Sequence, residues 1–104
     1  MILVTTESIP NREVELLGMV TGSTIQTVHM GKDLVNGLKT LVGGELKSYT
    51  EMMEKARALA TERMIHQAEG LGADAVVGVR ISTSSIMQSA SEVMVYGTAV
   101  RFIS

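Results

Sequence analysis

The chain has no cysteine, one proline and only three aromatic residues, Tyr49, Tyr96 and Phe102, among its 104 positions. Without thiols there can be no disulfide framework, no thiolate zinc site, no iron–sulfur cluster and no cysteine nucleophile. The scarcity of rings, with a net charge of -2 from nine Lys+Arg against eleven Asp+Glu, argues against a nucleic-acid binder. Such proteins present a basic face or a set of stacking aromatics. Long hydrophobic runs are missing too: nothing approaches the ~20 apolar residues that a membrane span requires. Met1-Ile2-Leu3-Val4 is apolar but runs straight into Thr5-Thr6-Glu7, without the cationic start and hydrophobic stretch of a secretory leader. The expectation is a soluble cytoplasmic protein that engages neither nucleic acid nor membrane.

What is present is a globular balance, 45% hydrophobic and 19% charged. A chain of this length buries roughly two thirds of its unfolded surface, enough for one modest core. No linker interrupts it, so residues 1–104 read as a single domain, with Pro10-Asn11 marking an early turn. Alternation predicts a first strand over Val14–Thr21, with Val14, Leu16, Gly18 and Val20 on one face and Glu15, Leu17, Met19 and Thr21 on the other. A polar, β-branched stretch to His29 follows. Leu34, Val35, Leu38, Leu41 and Val42 then recur at helical spacing, predicting a short helix that Gly43-Gly44 stops.

A long helix is predicted over Glu45–Leu71, ended by Gly70 and Gly72. At about 100° per residue, Tyr49, Met53, Ala56, Ala60, Met64 and Leu71 fall on one stripe, widened by Met52 and Leu59. Glu51, Lys55, Ala58, Glu62 and Glu69 face away, so the helix has one packing partner, a sheet face. Two further strands are predicted, Ala75–Ser82 and Glu92–Ile103, with the Ser/Thr-rich stretch Thr83–Ser91 as the loop between them.

These strands are apolar on both sides. Val93, Val95, Ala99 and Ile103 back onto Met94, Tyr96, Val100 and Phe102, while Ala75, Val77, Val79 and Ile81 are backed by Val76. Strands apolar on both faces are normally covered on both faces. A bare second face would exceed the patch a soluble monomer usually exposes. Self-association is the expected resolution; cover by the N-terminal strand or the short helix is the competing one.

Several segments together are distinctive: Leu71-Gly72-Ala73-Asp74-Ala75-Val76-Val77-Gly78-Val79-Arg80, Val42-Gly43-Gly44-Glu45 with Tyr49-Thr50 behind it, and Tyr96-Gly97-Thr98-Ala99-Val100. With Gly18-Met19-Val20-Thr21-Gly22 they resemble the YbjQ family of small bacterial proteins, in the family's order and over nearly the whole chain. The resemblance implies an α+β, two-layer β-α-β-β subunit like that of dodecin, with a short, largely antiparallel sheet on one long helix. It also implies closure of subunits into a pentameric ring. The function it implies is unsettled, a heavy-metal-binding label without a known ligand, so a divalent metal ion is a candidate cofactor.

The residues themselves offer few metal donors: two histidines, eight methionines and scattered carboxylates. Glu62, His66 and Glu69 lie three and four positions apart and so on adjacent helical turns. They could hold a borderline divalent ion where copies meet, though an exposed polar face explains them as well. His29 stands apart. Met52, Met53 and Met64 fit core packing better than copper(I) ligation.

Arg63 falls within the apolar stripe, where an unpaired guanidinium is costly. It must snorkel to the rim or find a carboxylate, with Glu45, Asp74 and Glu92 as candidates. With Arg57 and the Tyr49 hydroxyl, it is also the candidate core of an anion or small-ligand site at a subunit boundary. Gly43-Gly44 before a helix could hold an anion, but no phosphate-binding motif accompanies it, and Gly18 and Gly22 inside a strand point to a bulge or a close backbone approach. No catalytic arrangement stands out: Ser84, Ser85, Ser89 and Ser91 have no evident base, and Asp74 reads as ordering a turn. The leading reading is a homo-oligomeric binding protein. The alternatives are the interface ligand site or enzyme around Arg63, Arg57 and Tyr49, and a structural scaffold for a protein partner.

Overall fold

A computed structural model describes residues 1–27, 47–87 and 90–103. Among these described residues are five elements: β1 (Ile2–Leu3), β2 (Val14–Thr27), α1 (Lys47–Gly70), β3 (Ala75–Met87) and β4 (Ala90–Phe102). The four strands form one sheet in the order β1-β3-β4-β2. Both long contacts, β2 with β4 and β3 with β4, are antiparallel, and β1 joins β3 in parallel. This is the α+β layout expected from the sequence, a mostly antiparallel sheet backed by one helix. The expected short helix after Gly31, with Gly43-Gly44, His29, Glu45 and Ser89, lies outside the described residues.

The strands are longer than the sequence breaks suggest. β2 continues from Thr21 to Thr27, and the stretch expected as a loop over Thr83–Ser91 is largely strand, with Ser82 opposite Met94 and Thr83 opposite Val93. Hydroxyl side chains suit loops by hydrogen-bonding their own backbone, but on a strand they tolerate an exposed face equally well. Pairing to the apolar β4 decides the outcome here.

Of three register shifts along the described strands, the third between Ser85 and Met87, two correct the expected face assignments. In β2 the register shifts between Leu16 and Gly18, and Gly18 has φ +135°. In β3 it shifts between Val77 and Arg80, around Gly78 at φ +61°. An inserted residue reverses the alternation beyond it. Leu16 therefore shares a face with Met19, not with Val20, and Ala75 and Val77 are separated from Val79 and Ile81.

The helix-side core joins Val20, Val76, Val93, Val95 and Ala99 of the sheet to Ala56, Ala60, Met64 and Ala68 of α1. Met53, Leu17 and Val79 pack at its margin. The expected stripe is correct through Ala56, Ala60 and Met64, but Ala68 replaces Leu71, which lies beyond the helix and is exposed. Alanines at the contact let the helix ride close to the sheet. Closest of all is Gly22, where a Cβ would overlap the Ala60 carbonyl oxygen and the Met64 amide nitrogen.

The helix ends by the mechanism its glycines predict. Gly72, at φ +79°, donates its N–H to the Glu69 carbonyl, and Ala73 donates to Ala68. That pair of bonds is a Schellman cap, with Ala73 packed against the core cluster that contains Ala68. Asp74 then fastens the turn to the far end of the sheet: its N–H donates to Val100, and its Oδ2 accepts the Phe102 N–H at 2.9 Å.

On the face away from the helix, a second cluster of Ala75, Val77 and Val100 is covered by Val4, Ile9 and Phe102. The N-terminal segment thus supplies part of the missing cover. It does not reach Leu16 and Met19, which remain 72% and 74% exposed, nor Ile25 at 59%.

Candidate functional site

Tyr49, Arg57 and Arg63 all lie on α1, but at different levels. At 1.5 Å per residue, Arg57 is about 12 Å along the axis from Tyr49, and Arg63 about 9 Å further on. One chain does not gather all three around a small anion. Tyr49 and Arg57 are half-buried and Arg63 is exposed. Its guanidinium has escaped the stripe to the rim, and in place of the anticipated carboxylate its Nη1 donates to the Ser23 carbonyl at 2.7 Å.

One turn further along the helix, Gln67 Oε1 accepts the Thr21 N–H at 2.7 Å. Arg63 and Gln67 therefore reach round the sheet to satisfy backbone groups on the outer edge of β2. That edge would otherwise be open to pairing with another strand. The structural duty of Arg63 is to guard an edge, a role invisible in the sequence because it depends on which strand lies beneath the helix.

Glu62, His66 and Glu69 are all exposed on the outward side of α1. Among the described residues no three His, Asp or Glu side chains come together as a set able to hold a metal ion. Ser84 and Ser85 lie on β3 and Ser91 on β4; Ser85 Oγ donates to the Met87 carbonyl at 3.4 Å. An ion pair joins Arg101 to Glu15 across β4 and β2, both half-exposed, and Arg12 stacks over the Phe102 ring at 4.3 Å. These are surface fastenings of the sheet.

A concavity that the sequence did not suggest lies opposite the helix. It is an open groove of about 480 Å³ with Val14, Leu16, Val77 and Val100 along its walls and Glu7 and Arg80 at its rim. Arg80 is tied down by two backbone carbonyls, those of Thr5 and Val79, each at 2.9 Å from Nη1. Only the bulges bring Leu16 and Val77 to this face together with Val100, which is why plain alternation misses it. No helix among the described residues is long and apolar enough to cross a membrane.

Comparison with known proteins decides the family. A family model described as "Putative heavy-metal-binding", YbjQ, matches residues 1–103. The chain belongs to the YbjQ family. A UPF0145 protein of Clostridium novyi is 58% identical over 103 residues, covering 99% of this chain and 100% of that one. A UPF0145 protein of Alkaliphilus metalliredigens is 55% identical with the same coverage, and one of Thermus thermophilus is 57% identical over 96% of this chain and 90% of its own. A crystal structure from Pediococcus pentosaceus, a protein of unknown function in the DUF74 family, superposes with a TM-score of 0.68 at 14% identity. It covers 98% of this chain and 97% of that one, a likeness of fold. The YbjQ chain thus has a family fold and a metal label, while its described residues hold the helix histidine and glutamates apart from any ligand set.

Proposed function

We propose that this YbjQ chain works as a homo-oligomeric binding protein, five copies closed into a ring, whose ligand sits where copies meet. The observation that carries the reading is the uncovered face of the sheet. Leu16 and Met19 stand exposed beside the open groove, beyond the reach of the N-terminal segment. Burying a large aliphatic side chain stabilises by about 1.5–3 kcal/mol, a strong drive toward association when several lie together. The number of copies rests on the family resemblance.

Among the described residues, a single chain offers the heavy-metal label no ligand set. Soft thiolate donors are missing from the sequence, and Glu62, His66 and Glu69 do not form a set within one copy. If the label holds for this chain, an ion is bound by imidazole and carboxylate groups that several copies bring together. The test is native mass spectrometry of protein purified without chelator and then offered zinc(II). The reading expects assemblies that carry zinc in fixed ratio to subunits and lose it in His66→Ala. Metal-free assemblies that take up no zinc would leave a scaffold instead.

A further inference from the structure

Glu7 and Arg80 stand at the rim of the groove opposite the helix, and among the described residues no ion pair joins them. They enter from the same end. The Thr6 carbonyl accepts the Gly78 N–H at 2.7 Å, and the Thr5 carbonyl accepts Arg80 Nη1 at 2.9 Å. The N-terminal segment thus sets Glu7 beside the β3 bulge that carries Arg80. Nη1 gives both its protons to the Thr5 and Val79 carbonyls, which holds the guanidinium in one place. The donors on Nε and Nη2 remain for another partner.

From this charged end the groove turns apolar. In the sheet register Arg80 lies opposite Tyr96, Val77 opposite Thr98, Leu16 opposite Val100 and Val14 opposite Phe102. Val100 is buried on the central strand, with Val77 on one side of it and the exposed Leu16 on the other. A concavity of about 480 Å³ with aliphatic walls and a few fixed polar groups has the size and make-up of a small-molecule site.

We infer that this groove binds a free aliphatic α-amino acid, its carboxylate on Arg80, its ammonium on Glu7 and its side chain between Leu16 and Val77 over Val100. Charge complementarity selects this occupant. A cation and an anion at one end match a zwitterion, and the apolar walls leading away from them match a hydrocarbon side chain. A simple carboxylate would meet Glu7 with no cation of its own, and a simple amine would meet Arg80 with no anion. A guanidinium already fixed by two carbonyls loses little freedom when it takes a carboxylate. The inference rests on the reading of a bound ligand beside the exposed sheet face and names its class; neither zinc nor the number of copies enters it.

Isothermal titration calorimetry on the full chain tests it with L-leucine, with isocaproate, which lacks the ammonium, and with isoamylamine, which lacks the carboxylate. Leucine should bind, and each partial analogue should bind at least about tenfold more weakly. Glu7 is exposed, so Glu7→Gln should fold as the wild type does. That variant should weaken leucine by about tenfold without weakening isocaproate, a split that general damage to the fold would not give. Isocaproate binding as tightly as leucine, or leucine binding unchanged in Glu7→Gln, would overturn the zwitterion assignment. A wild type that ignores leucine would remove the site. Single chains that bind leucine would keep the groove and remove the ring, while rings that ignore leucine would do the reverse.

Discussion

Small residues place the helix on the sheet. Gly22 lies beneath the Ala60–Met64 turn with no room for a Cβ, so Gly22→Ala must lift the helix or bend the strand. Glycine-to-alanine changes in strands often stabilise through the unfolded chain; here overpacking should dominate, costing about 1–3 kcal/mol in urea unfolding. Gly18 makes the contrasting case. No heavy atom lies within 4 Å of its missing Cβ, so Gly18→Ala is penalised only by its φ of +135°. Met64 fills the centre of the same contact and is fully buried. Met64→Ala should lower stability by about 2–5 kcal/mol, read from the same unfolding curves. Asp74 acts locally, and Asp74→Ala should cost about 1 kcal/mol by freeing the Phe102 N–H.

Among the elements, α1 was legible because its stripe repeats over many turns and its end carries two glycines. Met64, Ala60 and Ala56 are core residues in the position the wheel gives them. β4 was legible for a similar reason, as an unbroken alternation from Val93 to Val100. The strands with bulges were harder. Alternation has no memory of an extra residue, so every side chain beyond Gly18 or Gly78 changes faces, and the groove at Leu16 and Val77 stayed hidden. The duty of Arg63 was hidden for another reason: a side-chain bond to Ser23 spans forty positions and depends on the β2 edge lying below the helix. Removing both guards, in Arg63→Ala with Gln67→Ala, should change stability little, because exposed hydrogen bonds contribute modestly. It should instead raise turbidity on warming, as an unprotected edge recruits other chains.

At the scale of the whole molecule, the physical tension among the described residues is between one helix and two apolar sheet faces. The helix covers one face, the N-terminal segment covers part of the other, and Leu16 and Met19 are left in solvent. Association of copies would relieve this, and charges set at these positions should oppose it. Leu16→Lys with Met19→Lys should keep the circular dichroism of the wild type and reduce the subunit number measured by sedimentation. The most direct measurement is a native mass spectrum of the untagged protein at low micromolar concentration. A ring gives a dominant species of five 11.1 kDa chains, whereas a dilute sample holding only single, compact 11.1 kDa chains would show that the exposed face needs no neighbour.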